Sequence, residues 1–82
     1  MRKVFKVIVH YTYTTGLLNK FTRENVKISH SDVRLYFLEG IDDRAVREYA
    51  IQKLNDYLIT IMDNAELVSH YCEITLVCNL NN

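Results

Sequence analysis

Apolar and polar positions change their period along the chain, and those changes predict its elements. From Lys3 to Thr14, Phe5, Val7, Val9, Tyr11 and Tyr13 share one parity, and Val4, Lys6, Ile8, His10 and Thr12 share the other. Period two in a run this rich in β-branched and aromatic residues predicts a strand with the first set on the core. Thr14-Thr15-Gly16 is expected to turn the chain, Gly16 supplying a positive φ where a hairpin needs one. Leu17 to His30 changes parity midway, from Leu17 and Phe21 to Val26 and Ile28. One flat strand cannot bury both sets. A long second strand with a bulge near Arg23–Asn25 is therefore expected, with a turn between two short strands as the alternative. Ser29-His30-Ser31-Asp32 is a polar break. Asp32 to Leu38 then reads as a third strand, with Val33, Leu35 and Phe37 alternating against Arg34, Tyr36 and Leu38, and a short helix capped by Ser31 is the alternative.

Between Gly40 and Asn64 the period becomes helical. Val46, Ala50, Ile51, Leu54, Tyr57, Leu58 and Ile61 fall within about 140° of one another at 100° per residue, the apolar stripe of a helix laid on a core. Arg44, Glu48, Gln52, Asn55 and Asp56 fall opposite. Asp42 and Asp43 stand where a cap and the helix dipole favour negative charge, and Asn64 is the expected stop. Ala65–Ser69 reads as a connector. His70, Cys72, Ile74, Leu76, Cys78 and Leu80 then alternate cleanly with Tyr71, Glu73, Thr75, Val77 and Asn79, which predicts a last strand. The expected architecture is an α+β domain over residues 1–82: an antiparallel-rich sheet of three to four strands on one long α-helix, in the order β-β-β-α-β.

Composition narrows the function classes. The 82 residues suit one domain, and 49% apolar residues supply a core, although chains this short are often stabilised by association. Ten basic and ten acidic residues cancel. Their distribution is uneven: residues 1–36 carry seven basic against two acidic residues, net +5, and residues 37–82 carry net −5. No run approaches the roughly 18–20 apolar residues of a membrane span. Met1-Arg2-Lys3 opens like a basic leader, but Lys6 and His10 interrupt the apolar run and no small-residue cleavage site follows. A cytoplasmic protein without membrane association is expected.

Catalytic chemistry is poorly represented. On a continuous strand, Cys72 and Cys78 would sit on the core face about 20 Å apart, beyond the ~7 Å Cα separation a disulfide tolerates. His70 and Cys72 share a face, but zinc wants four ligands, and His10 or His30 adds at most one more. Ser29, His30 and Asp32 carry the letters of a hydrolase triad, yet neighbours on an extended run point apart. Asp42, Asp43, Glu48 and Asp56 lie towards water, where carboxylates stay ionised. With two glycines there is no phosphate-cradling loop. Neither metal nor cofactor is expected, and the protein is read as non-enzymatic.

The informative surface is the sheet face turned from the helix. It is expected to display Val4, Lys6, Ile8, His10, Arg34, Tyr36, Leu38, Tyr71, Glu73 and Val77, more apolar and aromatic than a solvated face requires. Lys6, Ile8, His10, Arg34, Tyr36 and Tyr71 are the candidate partner-binding residues. The expected function is a small protein-interaction domain, expected as a homodimer and of the size and composition that phages and mobile elements use to inhibit a host complex. It would bind a protein partner through this face or a strand edge. The alternative is a nucleic-acid-binding module, with bases stacked on Tyr36 and Tyr71 and phosphates on Lys3, Lys6 and Arg34. Zero net charge argues against a broad phosphate footprint.

Overall fold

The computed structural model describes residues 2–18, 20–61 and 65–80. Among these residues three strands and one helix follow in the order β1 (Lys3–Leu18), β2 (Asn25–Gly40), α1 (Asp43–Ile61) and β3 (Glu66–Asn79). The sheet is antiparallel with the spatial order β2-β1-β3, so β1 is central and both other strands are edges. This is the expected α+β class with a corrected order, β-β-α-β rather than β-β-β-α-β, and with a helix of only 19 residues rather than the long one expected.

The difference lies between residues 14 and 38. Gly16 lies inside β1 and no described glycine has a positive φ, so the expected turn at residues 14–16 is absent. The chain turns instead at residues 20–22, and Arg23 takes the left-handed conformation at φ 58°. Val26 and Ile28 then return along the opposite strand, which is why their parity differs from that of Leu17. The polar run Ser29–Asp32 does not break the ladder, because β1 answers it. Thr12 Oγ1 bonds Ser31 Oγ at 3.1 Å, and Thr15 Oγ1 bonds His30 Nε2 at 3.1 Å. Thr15 is correspondingly buried. The second and third expected strands are one strand, paired with β1 from Lys3 opposite Gly40 to Leu18 opposite Asn25 without a register shift.

β3 is less regular. Its register against β1 shifts between Val4 and Phe5 and between Thr12 and Tyr13, leaving Val77 and Val68 outside the ladder as bulges. It begins at Glu66, so most of the expected connector is strand. The bulge at Val77 turns Cys78 out beside Val4, where it is exposed, while Cys72 stays half-buried on the helix side opposite Val9. The expectation of two core-facing thiols is corrected for Cys78.

The helix follows its apolar stripe. Asp42 caps it, its Oδ1 accepting the Ala45 backbone N–H at 2.8 Å. Val46, Ala50, Leu54 and Leu58 are buried against Phe5, Val7, Val9 and Tyr11 of β1 and Leu38 of β2. Ile51 and Tyr57 are partly buried, whereas Ile61, at the end of the helix, is exposed. The expected stop at Asn64 lies outside the described residues. Gly40 joins sheet to helix by close approach: a Cβ there would stand 2.7 Å from Val46 Cγ1.

Lengths determine what the helix leaves bare. The 19 residues of α1 span about 28 Å at 1.5 Å per residue, and the 16 residues of β1 about 54 Å at 3.4 Å per residue. The helix therefore covers roughly half of one sheet face. The molecule is correspondingly elongated, 61 × 17 × 15 Å. No described helix is long and apolar enough to cross a membrane.

Candidate functional site

The open face is assembled by the register. Successive rows across β2, β1 and β3 run Phe37–Lys6–Thr75, Leu35–Ile8–Glu73, Val33–His10–Tyr71 and Ser31–Thr12–Ser69. Val33, Leu35 and Phe37 are 51%, 54% and 62% exposed, so an apolar row stands at the β2 edge of this face. Beside it, Lys6, Ile8 and His10 are half-buried between the two flanking strands. A groove of about 720 Å³ continues the apolar edge past Gly40, where Phe37, Glu39, Ile41, Ala45, Tyr49 and Lys53 line it.

The β3 side of the face is polar and bonded internally. His10 and Tyr71 stack at 4.7 Å between ring centroids with an interplanar angle of 14°. The Tyr71 hydroxyl donates to Glu73 Oε1 at 2.5 Å, and His10 Nε2 lies 3.5 Å from the same oxygen. That hydrogen bond raises the Tyr71 pKa above its ordinary value, with a smaller push from desolvation. A phenol held protonated as a donor is the opposite of an activated base.

The six residues expected to form the contact surface do not share a face. Lys6, Ile8, His10 and Tyr71 lie on the open side. Arg34 and Tyr36 lie on the helix side, because they pair with Val9 and Val7 of the core row. The Arg34 guanidinium stacks over the Tyr57 ring at 3.7 Å, and its Nε donates to the Tyr36 hydroxyl at 3.1 Å. Leu38, also expected outside, is buried in the core. The parity of β2 is thus inverted, and the residues missed are Val33, Leu35 and Phe37. Their even spacing was visible; the sequence lacked any sign of which β2 set the helix would cover.

Among the described residues no group of three or more His, Cys, Asp or Glu side chains is placed to hold a metal ion. Ser29 and Ser31 pair with Thr14 and Thr12 on the open face, away from His30 and Asp32 on the helix side, so neither serine meets that pair. Burial pushes the Cys72 thiol above its ordinary pKa, against a smaller opposing pull from Arg47, which disfavours the reactive thiolate. Comparison with known family models, curated proteins and solved structures finds no match for this chain.

Proposed function

We propose that the protein is a non-enzymatic interaction domain that engages a protein partner through the open sheet face and the β2 edge. The exposed row Val33, Leu35 and Phe37 carries this reading. Three large apolar side chains side by side on an uncovered face are costly in water and gain by burial, at roughly 25 cal/mol per Å² of apolar surface removed. Both signs of charge border the row, with Lys6 beside it and Glu73 one strand further on. An apolar centre with a mixed polar rim is the anatomy of a protein interface. A domain of this size with such a surface acts by occupying a partner, which suits an inhibitor of a larger complex. The nucleic-acid alternative has less support, since Lys6 and Tyr71 stand on one face of the sheet and Arg34 and Tyr36 on the other.

The test places a photo-crosslinking residue at Phe37, on the proposed surface, and separately at Gln52, on the exposed side of the helix, in otherwise unaltered protein irradiated in cell extract. A discrete adduct at 37 and none at 52 is expected, its mass reporting whether a second copy or a different protein was caught. Equal labelling at both positions, or none at 37, overturns the reading.

A further inference from the structure

We infer that the β2 edge is a self-recognition edge, on which a second copy of this chain adds its own β2 antiparallel about a two-fold axis at Leu35, giving a continuous six-stranded sheet. The inference rests on the proposed interaction surface and names its partner.

The two edges of the sheet are not equivalent. β3 is bulged at Val68 and Val77, irregularities that discourage strand addition. β2 has neither bulge nor proline over its 16 residues, and its outward N–H and C=O groups meet no described strand. A regular edge of that length is a template for another strand.

The side chains of β2 set the register. With the axis at Leu35, Leu35 faces Leu35 of the second copy, and Val33 and Phe37 face Phe37 and Val33. The three exposed apolar side chains of each copy then become cross-strand neighbours. On the helix side, Arg34 comes opposite Tyr36 of the second copy and Asp32 opposite its Leu38. No like charges stand directly opposite. Moving the axis to Arg34 sets two guanidinium groups against each other, and moving it to Tyr36 sets Val33 against Glu39. Only the Leu35 register satisfies both the apolar row and the charges. Residues 30–40 of each copy then pair over about 37 Å at ~3.4 Å per residue.

Area supports a partner of this size. The chain exposes 6066 Å², whereas a compact folded monomer of 9.7 kDa exposes about 5,100 Å². The surplus of about 900 Å² is close to the ~800 Å² each partner buries in a standard interface. The radius of gyration, 16.4 Å, likewise exceeds the ~12 Å of a compact chain of this length.

Engineered disulfides test the geometry in protein carrying Cys72→Ala and Cys78→Ala. In the proposed dimer, Leu35→Cys meets its own copy on the axis. Ile8→Cys, one strand further in, is three strand spacings from its copy, about 14 Å and too far to bridge. A disulfide dimer with Leu35→Cys and none with Ile8→Cys is expected; any other pattern overturns the inference, bridging at Ile8→Cys in particular indicating face-to-face stacking. A second measurement keeps the native cysteines. Leu35→Glu and Leu35→Lys, each placing like charges at the axis, should self-associate about tenfold or more weakly than the native chain, and their equimolar mixture should recover. A mixture that stays monomeric, or a native chain that sediments as a monomer at every concentration, overturns it. If the Phe37 crosslinker still captures a different protein, the interaction reading stands while this partner assignment falls.

Discussion

Leu38 and Leu35 are three residues apart on β2, yet truncating them should give opposite results. Leu38 is buried at 5% exposure among Phe5, Val46 and the rest of the core, whereas Leu35 is 54% exposed on the open face. Leu38→Ala removes three carbons, about 2.4 kcal/mol of transfer free energy at ~0.8 kcal/mol each, before any cavity is counted. Buried leucine truncations cost 2–5 kcal/mol, and an edge-strand site beside the helix start can relax, so about 2–3.5 kcal/mol is expected. A chain of this length is stabilised by roughly 4–12 kcal/mol, so the loss is a large share and should lower Tm by roughly 10–25 °C. Leu35→Ala removes the same atoms from a site already wet and should fall within about 0.5 kcal/mol. Urea unfolding followed by far-ultraviolet circular dichroism measures both, at the lowest workable protein concentration, because association adds stability by mass action. Equal losses, or a larger loss at Leu35, would refute the inverted placement of β2.

Three further outcomes follow from the same packing. Gly40→Ala should destabilise by about 1–3 kcal/mol in thermal unfolding, because its Cβ would meet the buried Val46 at 2.7 Å and neither side can yield freely; a neutral result would contradict that close approach. In the native protein, a disulfide reagent for free thiols should modify exposed Cys78 quickly and Cys72, whose pKa is raised by burial, slowly; faster labelling of Cys72 would contradict the bulge at Val77. Tyr11, by burial and then by Asp32, and Tyr71, by its bond to Glu73, both have pKa values raised above 10.0. A raised folded pKa means their protonated forms favour the fold at neutral pH, and that contribution is lost as pH rises through the folded values. Absorbance titration should show at least two of the six tyrosines ionising late, and uniform ionisation near 10 would contradict those environments.

The helix was legible because its signal is redundant: a 3.6-residue stripe, Asp42 at the cap and a helix-breaking glycine before it all agree. The first strand was legible from its β-branched alternation. β2 was not, for two reasons. Its polar stretch from Ser29 to Asp32 looks like a break unless Thr12 and Thr15 are known to face it. Its other half is apolar on both parities, Val33, Leu35 and Phe37 against Tyr36 and Leu38, so local pattern could not say which set the helix covers. Tertiary packing chose Leu38, and the arginine between them went with it to stack on Tyr57. The bulges of β3 were equally silent, since Val68 and Val77 are ordinary strand residues. Of the six candidate residues, Lys6, Ile8, His10 and Tyr71 therefore stand on the open face, whereas Arg34 and Tyr36 stand on the helix side and Val33, Leu35 and Phe37 form the exposed apolar row.

Amide hydrogen exchange at increasing protein concentration tests the central claim most directly. If β2 is the contact edge and a second copy fills it, amides within residues 30–40 should exchange more slowly as concentration rises, while the bulged β3 edge, residues 66–79, stays unchanged. Exchange in residues 30–40 that ignores concentration, or protection that grows in β3 instead, would contradict the account.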